Sequence, residues 1–335
     1  MTILLHRAIK VGDNVVAIKA IYALKMLYPH ANLIIATNAI GANLYANLPF
    51  IDTLLNVEAN PSAIYTIPNI DFFIITHRTK ANIALAKRTN ARKIITQAHL
   101  HSLHSPRFIN DFNFTTKLRP ESENLLRLVR LMDKRVFEGK IKSLDFSGAK
   151  LRFREQNSNF VEAFLAKNAI GGGQNENLAN HKSCESRKLI GVNFFGSGGV
   201  GYLRLDSWRE IVESLACEFS KCEFIVLCPP NARLEPFNAP NVRIFVNNND
   251  LLNLVALTAR FSALISIDTG NVHIADNLQI PTLGIYTQKM AKRWRGGTYG
   301  GKFAQFIMPK DKNENKANMW QFLRTNLAQL LDEIS

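Results

Sequence analysis

The sequence predicts an α/β protein made of two similar halves. Short apolar segments of the kind that form buried parallel strands alternate with helical patterns along most of the 335 residues. This alternation stops near residue 169 and restarts at Leu189. A chain of this length also exceeds what one hydrophobic core usually organises, so we expect two domains.

The first half shows strands and helices in the order that a parallel sheet requires. The predicted strands are residues 2–5, 33–37, 53–57, 72–76 and 93–96. The predicted helices are residues 14–27, 40–46, 80–88 and 121–134. Together these elements predict an N-terminal domain over residues 1–168.

A linker and a second domain follow. Residues 169–188 are rich in glycine, asparagine and serine and lack apolar periodicity, which is typical of a linker. Strands are predicted at 189–194, 223–228, 263–267 and 282–286, with helices at 208–218, 251–258 and 272–278. They predict a C-terminal domain over residues 189–315. Residues 316–335 read as an amphipathic terminal helix with Leu323, Leu327 and Leu331 on its apolar side.

Composition and charge limit the class of protein. The chain has 47% hydrophobic and 20% charged residues, which is typical of a folded protein and excludes a disordered one. Its formal net charge of +14 favours polyanionic partners, among them nucleotides, phosphorylated glycans, anionic membranes and nucleic acid. A basic surface that only maintains solubility explains the charge equally well, so net charge alone does not choose a function.

The cysteines and the apolar runs predict no metal and no membrane span. The four cysteines include no pair at the short spacing of a zinc or redox motif, so we predict reduced thiols and no metal site. Residues 1–5 lead directly into a turn, without the features of a signal peptide. No apolar run approaches the roughly 20 residues that span a bilayer. A cytoplasmic protein with at most peripheral membrane contact is expected.

The first segment that suggests chemistry is Arg7-Ala8-Ile9-Lys10-Val11-Gly12-Asp13-Asn14, between the first strand and the first helix. Ligands of open α/β sheets bind at this edge. Gly12 permits close approach of the backbone to a ligand, and Asp13 occupies the position of an N-cap. Two interpretations of Asp13 are open at this point, a helix cap and a catalytic carboxylate.

The second segment is Ser266-Ile267-Asp268-Thr269-Gly270-Asn271-Val272-His273, between a strand and a helix. The free N–H groups of Thr269 and Gly270 at the helix N-terminus, together with the Thr269 hydroxyl, would bind a phosphate. His273 lies one turn further and is expected to face the same ligand. For each residue alone, a structural role, Asp268 as cap and His273 as a core side chain, is the alternative.

These segments resemble glycosyltransferase family 9, the ADP-heptose:lipopolysaccharide heptosyltransferases. The resemblance rests on Asp268-Thr269-Gly270-x-x-His273, the following Pro281-Thr282, the strand from Leu283 and then Arg293-Trp294, with Gly12-Asp13 as the family's other signature. It implies a GT-B architecture, in which two Rossmann-like domains face a central cleft. It also implies that the C-terminal domain binds the donor and that the terminal helix packs back on the N-terminal domain.

The resemblance implies roles for further residues. Asp13 would be the general base of an inverting transfer that needs no metal and no cofactor. On the donor side, the loop containing Ser197 would end in Arg204, which replaces a lysine usual in the family, and Glu235 would contact the ribose. The acceptor, a lipid A-Kdo or core oligosaccharide, would be bound at the N-terminal domain. The residues expected there are Lys10, Gly12, His77, Arg78 and Arg107.

Alternative functions remain open from the sequence. A family member could use another nucleotide-hexose donor. The net charge would also suit a nucleic-acid-binding protein, but no helix concentrates the lysines and arginines and no nucleic-acid motif accompanies them, so we predict no nucleic-acid partner. A nicotinamide oxidoreductase is disfavoured because neither half has Gly-x-Gly-x-x-Gly after its first strand. The sequence therefore favours an ADP-heptose-dependent transferase at the inner face of the inner membrane.

Overall fold

The chain folds into two compact units. The computed structural model describes residues 1–113, 115, 118–170, 187–197, 199–309 and 315–333. Unit 1 comprises Met1–Arg152 and Lys292–Trp294, and unit 2 comprises Phe153–Ala291 and Arg295–Ser335. Most of the predicted linker, residues 171–186, lies outside the described residues.

Unit 1 contains a parallel sheet in which six strands are described. They are β1 (Thr2–Arg7), β2 (Asn32–Thr37), β3 (Thr53–Asn56), β4 (Phe72–Ile75), β5 (Lys93–Gln97) and β6 (Phe108–Asp111). Their order across the sheet is β3-β2-β1-β4-β5-β6, the doubly wound order of dinucleotide-binding folds. The chain order reverses between β1 and β4, which is where such sheets bind ligands.

The helices of unit 1 cover both faces of this sheet. They are α1 (Val11–Leu27), α2 (Ala39–Tyr45), α3 (Lys80–Lys87), α4 (Glu121–Arg130) and α5 (Lys134–Lys140). The helix predicted over residues 121–134 is in fact two helices, α4 and α5. Asp133 separates them because its carboxylate accepts hydrogen bonds from the N–H groups of Arg135 and Val136 and so begins a new helix.

Unit 2 repeats the same strand order. Its strands are β7 (Lys188–Asn193), β8 (Phe195–Gly196), β9 (Gly199–Val200), β10 (Cys222–Cys228), β11 (Val242–Val246), β12 (Ala263–Ile267), β13 (Thr282–Tyr286) and β14 (Phe303–Ile307). The parallel sheet runs β11-β10-β7-β12-β13-β14, and β8 and β9 form a short antiparallel hairpin after β7. The order reverses between β7 and β12, so the predicted α/β fold with two Rossmann-like units is confirmed.

The helices of unit 2 begin before the predicted linker. They are α6 (Glu155–Lys167), α7 (Leu205–Glu218), α8 (Leu251–Thr258), α9 (Gly270–Asn277), α10 (Gln288–Ala291) and α11 (Asn315–Glu333). We assigned α6 to the N-terminal domain, but Val161 and Leu165 pack in one apolar cluster with Phe245 and Leu257 of unit 2. The boundary between the units therefore falls at residue 153, ahead of the linker.

The terminal helix α11 also differs from the expectation drawn from the family. It belongs to unit 2 and packs against α7 and the strands β12, β13 and β14. Met319, Leu323 and Leu327 are fully buried in the apolar cluster of this unit. The reason is the spacing of these residues, since apolar side chains four positions apart form a stripe that fits the apolar face of the second sheet.

Replacing Leu323 by alanine tests this packing. The substitution is expected to lower the free energy of unfolding by about 3 kcal/mol, because it leaves a cavity in place of a fully buried side chain. Denaturant unfolding measures the change. Gln321→Ala, at an exposed position of the same helix, is the matched control and should change stability by less than about 0.5 kcal/mol. Equal effects of the two substitutions would contradict the packing of α11.

Candidate active site

The first part of the candidate site lies at the carboxyl edge of the unit 1 sheet. β1 pairs with β2 on one side and with β4 on the other, and the loops that leave β1 and β4 diverge. The loop after β1 contains Lys10, Gly12 and Asp13, and the loop after β4 contains His77. Asp13 and His77 lie near enough for their charges to interact. The structure therefore brings the predicted base and one predicted acceptor residue to the same edge.

The start of α1 differs from the predicted turn. The helix begins at Val11, so Gly12 and Asp13 lie in its first turn and Lys10 is the N-cap. The side-chain amide of Asn14 stabilises this start by donating to two preceding carbonyl groups, at 3.0 and 3.1 Å. Asp13 is therefore not the capping residue. Its carboxylate lies in the first turn, where the positive end of the helix favours a negative charge.

Arg7, the last residue of β1, holds Asp13 in place. The Arg7 side chain is only 1% exposed. Its Nε donates to the backbone carbonyl of Asp13 at 2.9 Å, and its Nη2 donates to Oδ1 of the same residue at 3.3 Å. Its Nη1 lies 3.6 Å from Oε1 of Glu121. Because a guanidinium is planar and donates in fixed directions, these contacts fix the position of the Asp13 carboxylate.

Glu121, the first residue of α4, connects Arg7 to a segment distant in sequence. Its side chain is 4% exposed, and its Oε2 accepts from Nε of Arg293 at 3.0 Å and lies 2.9 Å from Nη2. The N–H of Glu121 also donates to the Arg293 carbonyl at 3.0 Å. The Arg293 guanidinium lies 4.9 Å from the ring centroid of Trp294. These contacts explain why Lys292–Trp294 belongs to unit 1.

Alternating negative and positive side chains thus contact one another in the order Asp13, Arg7, Glu121 and Arg293. Burial raises the pKa of Asp13, the Arg7 cation opposes this, and the Glu121 carboxylate raises it further. Arg293 and His77 lower it by smaller amounts. The result is a carboxylate with a pKa above its ordinary value and a side chain that is 19% exposed. Such a group suits proton abstraction from a bound hydroxyl.

The predicted acceptor residues fall into two groups. Lys10, His77 and Arg78 are exposed at the carboxyl edge, and Nη1 of Arg78 donates to the Ala98 carbonyl at 2.8 Å. Arg107 is different, because it precedes β6 and therefore lies at the opposite, amino edge of the sheet. Its guanidinium donates to three carbonyl groups at and beyond the end of α3. The structure therefore does not bring Arg107 to the edge at which Lys10, His77 and Arg78 lie, and its donors stabilise the fold.

The second part of the candidate site lies at the corresponding edge of unit 2, between β7 and β12. Thr269 is the N-cap of α9, with its hydroxyl accepting from the N–H of Asn271 at 3.4 Å. Nδ2 of Asn193, the last residue of β7, donates to the same hydroxyl oxygen at 2.9 Å. Thr269, rather than Asp268, therefore caps the helix. Gly270 follows as the first helical residue, at the end that attracts anions.

Asp268 lies in an apolar environment beside two tyrosines. Burial raises its pKa to about 6. Burial and the Asp268 charge also raise the pKa of both Tyr202 and Tyr286. Tyr202, in the loop after β9, adopts a left-handed backbone conformation with φ of 66°, which is uncommon for a residue other than glycine. His273, one turn along α9, is 4% exposed.

Replacing Asp268 by asparagine is expected to stabilise the protein in a pH-dependent way. The pKa of the carboxyl group rises from 3.8 to about 6 on folding, so the folded protein binds its proton more tightly than the unfolded chain. Its ionised form is therefore destabilising, fully so above about pH 6 and not at all below about pH 4. The variant should gain about 1–3 kcal/mol at pH 8 and nothing at pH 4.

Chemical denaturation at these two pH values measures this difference. Asp206→Asn is the matched control, because Asp206 lies in the same unit with a side chain that is 75% exposed. It should change stability little at either pH. A gain for Asp268→Asn of the same size at pH 4 and pH 8 would contradict the assigned pKa.

The remaining predicted donor residues lie at the surface of unit 2. Arg204 is the N-cap of α7, and its guanidinium lies 3.6 Å from the Asp206 carboxylate with 88% exposure of its side chain. Glu235 is exposed, and its backbone carbonyl accepts from Arg209. Ser197 is exposed in the hairpin of β8 and β9. Arg204 and Glu235 therefore make their contacts with other residues of unit 2, Asp206 and Arg209.

Several residues of the site were not predicted from sequence. Arg7, Glu121 and Arg293 were noted only as parts of strands, helices or motifs, and Tyr202 and Asn193 were not singled out. The role of Arg7 could have been predicted from its position, because a cation at the end of a buried apolar strand requires partners of opposite charge or hydrogen-bond acceptors. The pairing of Glu121 with Arg293 spans 172 positions and leaves no local trace in the sequence.

Neither a metal-ligand cluster nor a membrane-spanning helix occurs in the described part of the chain. Within it, no group of three or more His, Cys, Asp or Glu side chains is placed to hold a metal ion. No helix among these residues has both the length and the apolar character needed to cross a membrane. Cys217 is exposed, Cys222 and Cys228 are buried, and all three are free thiols, while Cys184 lies outside the described residues.

Comparison with protein families gives a match that contains the second loop. Residues 205–320 match the model of glycosyltransferase family 9 (heptosyltransferase). The matched region includes Asp268, Thr269, Gly270 and His273, and it does not include Asp13, which lies in unit 1. A search of curated proteins found no match.

Comparison with solved structures shows the same fold over the whole chain. E. coli ADP-heptose lps heptosyltransferase II is 15% identical, with 100% of each chain covered and a TM-score of 0.73. A glycosyl transferase family 9 protein from Veillonella parvula is 13% identical, covering 97% of this chain and 88% of that one, with a TM-score of 0.69. E. coli heptosyltransferase WaaC with ADP is 12% identical, covering 98% and 99%, with a TM-score of 0.63.

Two doubly wound units, each with polar residues where its strand order reverses, define a GT-B fold. The family match confirms the resemblance predicted from the sequence. Residues 205–320 are thus similar to the heptosyltransferases of glycosyltransferase family 9, and the whole chain has the fold of solved heptosyltransferases.

Proposed function

We propose that the protein is an inverting transferase that moves a heptose from ADP-heptose to the inner core of lipopolysaccharide or lipooligosaccharide. The observation that carries this proposal is the Asp13 carboxylate, which is partly desolvated and fixed by Arg7 at a ligand-binding edge. Asp13 would accept the proton of an acceptor hydroxyl. The hydroxyl oxygen would attack the anomeric carbon as its bond to the diphosphate breaks, and ADP would leave without a metal cofactor.

The donor would bind at the N-terminus of α9. The Gly270 N–H and the positive end of the helix would stabilise the charge that develops on the leaving diphosphate. The bond from Asn193 supports this role, because it fixes the Thr269 hydroxyl before the ligand arrives. Asp268 and His273 would contact the same donor, with Ser197 in the neighbouring hairpin.

Two exposed residues would complete the donor site. Arg204 would supply the cation that relatives draw from a lysine, since its guanidinium is largely exposed and its contact with Asp206, at 3.6 Å, is that of a weak surface pair. Glu235 would contact the ribose. For these roles, the side chains of Arg204 and Glu235 would have to change position when the donor binds.

The identity of the donor is suggested by the relatives. Structures of E. coli heptosyltransferase WaaC contain ADP in one case and ADP-2-deoxy-2-fluoro heptose in another. The second of these is 14% identical, covers 97% of this chain and 100% of that one, and has a TM-score of 0.61. An adenine nucleotide-heptose is therefore the donor that we propose first, and another nucleotide-hexose is the alternative.

The acceptor would bind at the carboxyl edge of unit 1. Lys10, His77 and Arg78 place cationic or protonatable groups near Asp13, which suits an acceptor with phosphate and carboxylate groups such as lipid A-Kdo. Gly12, in the first turn of α1, would allow the acceptor to approach the backbone. Because this acceptor is anchored in a bilayer, the protein would act in the cytoplasm as a peripheral protein at the inner face of the inner membrane.

Isothermal titration with ADP, UDP, GDP and NAD tests the donor site. Selective ADP binding is expected, and Thr269→Ala should weaken it at least tenfold because the capping hydroxyl and the organised N–H groups are lost. Thr325→Ala, at an exposed position of α11, is the matched control and should leave ADP binding unchanged. Selective binding of UDP or GDP would replace ADP-heptose by another nucleotide-hexose. Binding of NAD alone, or of none of the four, would overturn the proposal.

A further inference from the structure

One stretch of unit 1 contains many basic residues and no acidic residue. Residues 72–110 contain seven lysines and arginines and four histidines but no aspartate and no glutamate. The stretch therefore accounts for 7 of the formal net charge of +14 in only 39 residues. It comprises β4, α3, β5 and the beginning of β6, so the charge is concentrated on one side of the unit 1 sheet.

The structure gathers part of this charge into one face. The 3-10 helix Leu100–Ser102 follows β5 and packs beside α3. Desolvation, and then the positive charges of His99, Lys80, Lys87 and His104, lower the pKa of His101. The ring centroids of His99 and His101 lie 5.3 Å apart, and α3, which carries Lys80 and Lys87, packs against the 3-10 helix. We call the side chains of Lys80, Lys87, His99, His101 and His104 the basic face. In the described part of the chain, no carboxylate forms an ion pair with Lys80 or Lys87.

Other cations of the same stretch are occupied elsewhere. Arg92 lies 3.3 Å from the Asp71 carboxylate, and the Arg107 guanidinium donates to backbone carbonyl groups. Unlike Arg92, neither lysine of the basic face has a carboxylate partner among the described residues.

Two exposed leucines lie within the basic face. Leu100 is 67% exposed and Leu103 is 48% exposed, although both are large apolar residues. Phe112, just after β6, is 58% exposed. The 3-10 helix is held to β6 by the bond between the Ser102 hydroxyl and Oδ1 of Asn110, so the leucines are fixed on the surface. Apolar side chains surrounded by cations fit an interface between lipid headgroups and acyl chains.

The position of this face relates it to the candidate acceptor site. Leu100 and Leu103 follow the carboxyl end of β5, and Asp13 follows the carboxyl end of β1. Because the strands are parallel, both lie at the same edge of the unit 1 sheet. A surface in contact with this face would therefore adjoin the edge that carries Asp13.

We infer that the basic face, with Leu100 and Leu103, docks unit 1 on an anionic lipid surface. This inference rests on the proposed function insofar as the acceptor is a membrane lipid. The lysines would lie near anionic headgroups, and the two leucines would enter the boundary of the acyl region. Nucleic acid is the less suitable partner, because single strands are bound by stacking on aromatic rings and Leu100 and Leu103 supply no ring.

Co-sedimentation of the full chain with vesicles tests the inference. Vesicles of phosphatidylcholine and of an equal mixture of phosphatidylcholine and phosphatidylglycerol are compared at 0.1 M salt. The anionic vesicles should bind the protein at least tenfold more tightly. Lys80→Gln/Lys87→Gln should weaken this binding about 25-fold, since each lysine near an anionic surface contributes about fivefold. Leu100→Ser/Leu103→Ser should weaken it about tenfold through loss of buried apolar area.

Lys134→Gln/Lys140→Gln provides the matched control. Both lysines are exposed on α5 of the same unit, so this variant has the same net charge as the α3 variant. Its binding should change less than threefold. Equal losses in the two lysine variants, equal binding to both vesicles, or an unchanged affinity of the leucine variant would overturn the inference. Displacement of the protein from anionic vesicles by a lipid-free oligonucleotide, without effect of the leucine substitutions, would overturn it in favour of nucleic acid.

Titration of the same variants with ADP separates this inference from the proposed function. ADP affinity should be unchanged in the lysine and leucine variants, because these residues lie in unit 1 and the proposed donor residues lie in unit 2. Normal ADP binding without vesicle binding would overturn the docking surface and leave the transferase proposal intact. Vesicle binding without nucleotide binding would overturn the transferase proposal and leave the surface intact.

Discussion

Asp13→Asn is expected to lower kcat about 1000-fold while ADP affinity stays within about twofold of the parent value. The asparagine amide has nearly the same shape as the carboxylate but does not accept a proton, so the contribution of a positioned general base, about 10²–10⁴-fold, is lost. The proposed donor residues lie in the other unit, which explains why nucleotide binding should persist. Turnover with ADP-heptose and a lipid A-Kdo acceptor, together with ADP titration, measures both quantities.

The pH dependence of the parent protein provides an independent check on Asp13. A base must be ionised to act, and burial raises the pKa of this carboxyl group. The rate should therefore fall with decreasing pH at a higher pH than an ordinary aspartate would give. Asp145→Asn is a suitable control, because Asp145 is an exposed residue of unit 1 and should affect neither kcat nor the profile. A decrease in kcat of less than tenfold for Asp13→Asn would exclude this residue as the base.

The central strands could be predicted from sequence and most of the edge strands could not. β1, β4, β7 and β12 are apolar runs with neighbours on both sides. The unpredicted strands β6, β11 and β14 each lie at the edge of a sheet, where one side of the strand has no partner strand. Edge positions tolerate polar residues such as Asn110, Arg243 and Gln305, which interrupt the apolar pattern.

The site residues that could be predicted from sequence are those placed by the local order of strands and helices, and the ones that could not are their partners distant in sequence. Asp268 directly follows β12, and Asp13 lies in the first turn of the helix after β1, so the edge at which each lies could be predicted from the chain order alone. Their partners could not, since Glu121 and Arg293 come together only in the folded chain. The capping roles were also assigned to the wrong residues. Thr269 and Lys10 take these positions because α9 begins one residue later than a cap at Asp268 would require, and α1 begins three residues earlier than a cap at Asp13 would require.

The placement of the terminal helix shows a different limit. Its apolar stripe could be predicted from the sequence, but an apolar stripe indicates only that one face of a helix is buried, not against which surface it packs. The family resemblance implied the N-terminal domain, whereas Met319, Leu323 and Leu327 are buried in unit 2. The choice depends on the shape of the second sheet and α7, which no local pattern encodes.

Glu121→Gln is expected to have the largest effect on stability, about 4 kcal/mol. Glu121 lies between Arg7 and Arg293, and its neutral replacement would leave a buried guanidinium without its full compensation. Removal of one partner from a buried ion pair typically costs about 3–5 kcal/mol for this reason. Chemical denaturation measures the loss. Glu123→Gln, in the same first turn of α4 but exposed, is the matched control and should cost less than about 1 kcal/mol.

The same substitution should also shift the titration of Asp13, which a purely structural role would not do. The Glu121 carboxylate raises the pKa of Asp13, and it shares the Arg7 guanidinium with that residue. Without the Glu121 carboxylate, the Arg7 guanidinium interacts with the Asp13 carboxylate alone, so the pKa of Asp13 should fall. The acidic limb of the pH–rate profile should then move to lower pH in Glu121→Gln and remain in place in Glu123→Gln. Loss of stability without this movement would reduce Glu121 to a structural residue, whereas both changes together would identify it as a positioning residue that acts on Asp13 through Arg7.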